Sequence, residues 1–237
     1  MLRMMTTRFI LSALSRSGVR PTRLYLPALR QFIHDPREVS STFGEIFTDQ
    51  IYRPVKPLRP GSRVVDVGAH YGLFAIYMLR MGAGDVSCYE PNPASFAILQ
   101  RNLAGYRNEH HARIETINAA VCEKKGRVRL FVPRSSVAAR VMPDSYIVRD
   151  PDCVDVTAIT IEEAVGPGCD FLKLDAEGVE YDLLPNAICR PDRIGEIAVE
   201  FHDIEKRFSE LDEILALLTK RGYRPYGNAR AEVVHFA

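Results

Sequence analysis

The stretch Val64-Val65-Asp66-Val67-Gly68-Ala69-His70-Tyr71-Gly72 sets the fold of this chain. Four residues of strand length run into a turn bounded by two glycines, and an amphipathic helix over Leu73 to Met81 follows it. The same alternation of apolar run and helix continues outward. Val86 to Tyr89 predicts a second strand, and Ala94 to Leu103 a second helix with Asn92 placed to cap it. Ile114 to Val121 predicts a third strand, and Phe171 to Leu174 a fourth, followed by a helix from Gly178 to about Leu184 that Pro185 stops. Ile197 to Phe201 is the fifth. The last helix presents Leu211, Ile214, Leu215 and Leu218 on one face, with Ser209 as its cap and Gly222 closing it. Tyr223 to Tyr226 and Val233 to Phe236, joined through Gly227-Asn228, form a terminal hairpin. Strands alternating with helices give an α/β, three-layer, mostly parallel sheet with an antiparallel last strand.

Two features interrupt the alternation. Val128 to Val132 and Val154 to Ile159 are extra strand-like runs, and Thr160 with Glu163 makes a capping box after the second. The loop between Pro133 and Pro151, carrying Arg134, Arg140, Asp144 and Arg149, is either a lid over a site or a surface insertion. His110-His111 is expected in a solvated connection, and Phe74, Tyr77, Met78 and Met81 in the core.

The 237 residues carry a net charge of +1, but unevenly. Arg3, Arg8, Arg16, Arg20, Arg23 and Arg30 all precede the first acid, Asp35, so residues 1–34 carry +6 and the remainder −5. Residues 1–60, interrupted by Pro27, Pro36, Pro54, Pro57 and Pro60, are expected to form a helical and loop extension, with one domain over 61–237. Five cysteines without a C-x-x-C pair indicate neither a zinc knuckle nor a disulfide framework. No apolar stretch near the N-terminus is long enough to span a bilayer, and a cytoplasmic location is expected, with organelle targeting through the Arg-rich start as the alternative.

In an open α/β sheet ligands sit beyond the carboxyl ends of the strands, which points to the turn after Val67. A dinucleotide fingerprint counted from Gly68 requires glycines at positions occupied by His70 and Leu73, and fails. Asp66 would repel a pyrophosphate yet suit a cation. Glu90, at the end of the second strand, can accept hydrogen bonds from both hydroxyls of a ribose. A ligand with a ribose at one end and positive charge at the other, such as S-adenosylmethionine, satisfies both carboxylates.

Four blocks, VVDVGAHYGLFAIYM from Val64, YEPNP from Tyr89, DFLKLDAEGVEYDLL from Asp170 and VEFH from Val199, resemble the FkbM-type S-adenosylmethionine-dependent methyltransferases over residues 47–237. The resemblance implies a class I, Rossmann-like sheet of seven main strands. It also implies that Asp66, Gly68, Ala69, His70 and Gly72 line the methionine end of S-adenosyl-L-methionine. Glu90 would then hold the ribose beside Pro91 and Asn92, and Asn118 and Ala119 would approach the adenine.

Methyl transfer to a hydroxyl gains from a positioned base. Asp175 and Glu177 follow the fourth strand and Glu200 and His202 the fifth, all at the carboxyl edge that carries Gly68. Asp175 and His202 are the leading catalytic candidates, then Glu177 and Glu200; structural roles for Glu177 and Glu200 are the alternative. A divalent ion on these carboxylates is conceivable, but the ligand pattern is not distinctive and no metal is assigned. The expected function is O-methylation of a small-molecule or carbohydrate hydroxyl. An acidic main domain and an Asp-Ala-Glu-Gly motif argue against nucleic acid. An NAD-dependent oxidoreductase and a non-catalytic binding module of the same fold are the alternatives.

Overall fold

The computed structural model describes residues 2–17, 19, 21–36, 39–106, 112–132, 140–141, 153–226 and 233–237. His110-His111, Gly227-Asn228, and Arg134, Asp144 and Arg149 of the Pro133 to Pro151 loop lie outside them.

The first segment is a helix α1 (Leu2–Ser17), a hairpin of β1 (Arg23–Leu26) and β2 (Gln31–His34), and a helical turn α2 (Ser40–Phe43) that continues as a π-helical stretch (Gly44–Asp49). Alternation then begins: β3 (Arg63–Val67), α3 (Leu73–Arg80), β4 (Asp85–Tyr89), α4 (Pro93–Leu103) and β5 (Arg113–Ile117). Next come β6 (Ala120–Cys122), β7 (Gly126–Phe131), β8 (Arg140–Val141) and β9 (Cys153–Thr160). The chain returns through α5 (Ile161–Val165), β10 (Cys169–Leu174), α6 (Glu180–Leu183), β11 (Ile194–Glu200), α7 (Phe208–Lys220), β12 (Pro225–Tyr226) and β13 (Val233–Phe236).

The main sheet has seven strands in the order β12-β13-β11-β10-β3-β4-β5. Its five central and edge strands β11, β10, β3, β4 and β5 pair in parallel, and β13 is antiparallel to both β11 and β12. The chain steps outward from β3 to β5 in one direction and from β10 to β11 in the other. The topological switch therefore lies between β3 and β10, where open α/β sheets bind ligands.

Three expectations change. The run from Ile114 to Val121 is two strands: β5 stays in the main sheet, while β6 pairs with β9 in a separate four-stranded sheet ordered β6-β9-β7-β8. The break falls at Asn118, whose side chain turns to bond the carbonyls of Glu90 and Pro91. The helix expected from Gly178 is only the single turn α6. Ser209 is not a cap, because α7 starts one residue earlier; Arg207 precedes it, ion-pairs with Glu210 and stacks on Tyr181 at 3.9 Å. The Asn92 cap and the Thr160–Glu163 capping box form as expected.

Period-two alternation sends successive strand residues to opposite faces. Val65, Val67, Leu172, Leu174, Ile197 and Val199 join the cluster under α5 to α7. On the other face Val64, Phe171 and Ala198 pack with α3, α4 and the N-terminal segment, where Leu11, Leu26, Ile33, Phe43 and Tyr52 are buried. Asp66, Lys173, Glu196 and Glu200 share that second face. Their polar groups are met by the covering segment: Glu196 accepts from the amides of Val55 and Lys56 and pairs with His235, whose Nε2 lies 2.7 Å from the Ile51 carbonyl. Residues 39–60 thus cover a sheet face that is partly charged.

Candidate active site

The turn after β3 must bend sharply against β10. Gly68 has φ +76°, and a Cβ there would stand 1.7 Å from the Asp175 carbonyl oxygen, so no other residue fits. The amides of Gly68 and Ala69 both donate to the Tyr89 carbonyl at 3.0 Å. Glu90, nearly fully buried, accepts the His70 amide at Oε2 and the Asn92 amide at Oε1, each at 2.8 Å. Burial pushes its carboxyl up to about 7 against the pull of those two amides.

A cavity of about 290 Å³ opens between this turn and the N-terminal segment. Gly68, Ala69, His70, Glu90, Pro91 and Ala119 form part of its wall, together with Asp175, Glu177 and Glu200. Ser41, Thr42, Glu45, Ile46 and Tyr52 of the N-terminal segment form another part.

Four residues expected at the cofactor sit behind that wall. Asp66 is fully buried, 3.5 Å from Lys173 Nζ, and has been drawn into an ion pair in place of facing the cavity. Burial lifts its carboxyl to about 6, with Lys173 opposing. Gly72 packs against Leu99, where a Cβ would meet Cδ1 at 2.7 Å. Asn92 caps α4 through the Ala94 amide, and Asn118 fastens the backbone of Glu90 and Pro91. His70 contributes its amide and a ring stacked on Tyr71; burial pushes its pKa down to about 4, so it is neutral.

The chemistry-bearing groups meet beyond β10 and β11. Lys173, 3% exposed, reaches Asp175 Oδ2 at 3.0 Å, the Gly68 carbonyl at 3.1 Å and the Tyr52 ring at 5.2 Å. Burial alone would depress its ammonium, but Asp175 and Asp66 outweigh it and the net shift is upward. Glu200 accepts the Tyr52 hydroxyl, and burial, then the Asp175 charge, raises its pKa.

His202 lies 3.1 Å from Glu180 Oε1 through Nδ1, and 3.5 and 3.9 Å from Glu177 Oε2 and Asp175 Oδ1 through Nε2. Burial opposes its charge, yet Glu180, Glu177 and Asp175 lift its pKa to about 9. At neutral pH it is an imidazolium: a donor, not the proton acceptor its rank as a leading candidate implied. Glu177 stands at φ +55° and reaches the cavity; burial raises its carboxyl to about 7, with His202 opposing. Glu180, fully buried, holds this corner by accepting the amides of Ala176 and Gly178. Asp175, Glu200 and His202 could each turn a ligand atom to one metal ion, within 4.8 Å of one another, but Lys173 and His202 already bring two positive charges to this group.

Sequence patterns did not single out Tyr52, Lys173 or Glu180. Lys173 had a visible signal, a lone cation within the apolar run Phe171 to Leu174. Tyr52, in a proline-rich stretch, had none.

The site fits a ribose-bearing cationic donor. Glu90 keeps lone pairs on both oxygens beyond the two amides it accepts, the Gly68 cradle leaves room for no Cβ, and acids outnumber Lys173 in the described wall.

Residues 66–225 match the family described as the methyltransferase FkbM domain. The 31-O-demethyl-FK506 methyltransferase FkbM of Streptomyces tacrolimicus is 26% identical over 220 residues, which cover 78% of this chain and 82% of that protein. Methyltransferase 1 of Beauveria bassiana is 26% identical over 202 residues, 75% of this chain and 79% of its own. The crystal structure of methyltransferase FkbM from Methylobacillus flagellatus KT superposes with a TM-score of 0.53 at 15% identity. It matches over all of this chain, which spans 60% of that one, and the likeness shows the fold. The chain belongs to the FkbM family of methyltransferases, with S-adenosylmethionine as its cofactor.

Proposed function

We propose that the protein methylates a hydroxyl oxygen of a small molecule or carbohydrate, with Glu177 as the base. S-adenosylmethionine, when bound, supplies an electrophilic methyl group. The chain's own task is to bind and align the acceptor and to take its proton. The observation that carries this reading is the Glu177 carboxyl at about 7, on the cavity wall and 3.5 Å from the His202 imidazolium. A base titrating near 7 accepts a proton at neutral pH and can release it afterwards. His202 holds the deprotonated form, and Lys173 pairs with Asp175 beside it. Asp175 and Glu200 are positioning groups in this reading.

The name of the Streptomyces relative describes an O-demethylated compound, which supports oxygen as the accepting atom. The net charge of −5 over residues 35–237 supports a small acceptor over nucleic acid. The test is methyl transfer from labelled S-adenosylmethionine to a panel of polyols, sugars and macrocyclic alcohols, with matched amines and transfer RNA in parallel. Label in the alcohols is expected; label confined to amines or RNA would overturn the proposal.

A further inference from the structure

Residues 2–36 bear a surface that the methyltransferase cavity does not use. Arg3, Arg8, Arg16, Arg23 and Arg30 are all exposed, and among the described residues none of them pairs with a carboxylate. α1 is anchored on its inner side, where Leu11 is fully buried and the Thr7 hydroxyl accepts the Ala28 amide. Its outer side carries Met5 and Phe9, 62% and 73% exposed, four residues apart, with Arg8 and Arg16 beside them. On the hairpin Tyr25 and Phe32 face each other in register, both exposed, with the Arg23 guanidinium 4.9 Å from the Phe32 ring centre.

Of nine large apolar side chains exposed among the described residues, five precede residue 33, within the stretch that carries +6 and no acid. Isolated exposed apolar residues need no explanation; their coincidence with an acid-free arginine run does. A soluble polyanion would satisfy the arginines and leave Met5 and Phe9 in water. A second copy would set +6 against +6. An anionic bilayer satisfies both, with arginines at the headgroups and apolar side chains below them. We propose that this N-terminal face docks the enzyme on an anionic lipid surface. Docking is peripheral: no helix of the described residues is long and apolar enough to cross a membrane.

The test is co-sedimentation of the full chain with vesicles of mixed phosphatidylcholine and phosphatidylglycerol, and with phosphatidylcholine alone. The chain is expected to pellet with the mixed vesicles only, less so at high salt. Arg8→Glu with Arg16→Glu should lower the bound fraction by at least about tenfold. Phe9→Asp should lower it too, and both variants should keep the parent's circular dichroism and S-adenosylhomocysteine affinity. Three results would overturn the proposal: no binding to mixed vesicles, equal binding by parent and charge-reversed chain, or retention on duplex DNA without vesicle binding. Loss of a homodimer in Phe9→Asp with vesicle binding unchanged would assign the face to a second copy.

Discussion

Glu180 Oε1 lies 3.1 Å from His202 Nδ1, joining the buried start of α6 to the second residue beyond β11. The same carboxylate accepts the amides of Ala176 and Gly178, so one side chain fixes both the loop after β10 and the charge on the imidazole. His202 is thereby raised from an ordinary 6.5 to about 9. A raised folded-state pKa contributes stability that is full below 6.5 and is lost as pH climbs through 9. His202→Gln should therefore be less stable than the parent at pH 6, by up to about 3 kcal/mol. The difference should shrink to near zero above pH 9. Urea denaturation across that range measures it; a pH-independent difference would mean that His202 acts through packing alone.

Turnover should depend on Glu177 in its ionised form. With its carboxyl at about 7, kcat should rise as pH increases through 7, and Glu177→Gln should lose that limb together with about 10²- to 10⁴-fold of rate. S-adenosylhomocysteine affinity should be little changed. A Gln variant that keeps the parental pH profile would remove Glu177 from the proton path.

Gly68→Ala tests the crossing of the β3 turn with β10. The new Cβ would be forced against the Asp175 carbonyl, and φ would stay in the left-handed region. We expect a cost of about 3 kcal/mol or more. Cofactor affinity should fall with it, since either backbone can yield only by distorting the cavity wall. Thermal melting with and without S-adenosylhomocysteine measures both effects.

Most of this architecture was legible because it rests on local signals. The apolar runs, the Gly68 turn, the Asn92 cap and the terminal hairpin each announce themselves within a few residues. The site was legible only to the level of which strand ends carry it. Asp66 was placed on the cavity because it precedes the turn; its register partner Lys173, 107 positions later, takes its charge instead. His202 ranked as a catalytic candidate because it follows the fifth strand at the edge that carries Gly68, and only the three-dimensional approach of Glu180 and Glu177 makes it a cation there. The break between β5 and β6 depends on Asn118 finding the carbonyls of another loop, which no periodicity encodes.

Glu90 should control donor affinity. Glu90→Gln keeps the shape but leaves one amide of the His70–Asn92 pair a weaker acceptor and sets a donor against the other, and it loses the charge. Replacement by Ala removes both acceptors. Calorimetry with S-adenosylhomocysteine should show the Ala variant weakened by ~1.5–3 kcal/mol for each charge-assisted hydrogen bond lost, and the Gln variant by less. Equal affinity in all three proteins would remove Glu90 from the donor site.

Tyr52 brings the N-terminal segment into the same electrostatic group. Its hydroxyl donates to Glu200, and its ring lies under the Lys173 ammonium and edge-on to Phe74. Tyr52→Phe keeps the ring and removes only the donor, leaving a largely buried carboxylate one bond short, at a cost of about 1–3 kcal/mol. That bond opposes the upward shift of Glu200, so its loss raises the Glu200 carboxyl further. With Glu200 less ionised, its repulsion of the Glu177 carboxylate weakens, so the acidic limb of the kcat/KM profile should move to lower pH, with S-adenosylhomocysteine affinity unchanged because Glu90 and the Gly68 turn are untouched. A fall in stability with no movement of the limb would confine Tyr52 to holding residues 39–60 on the sheet.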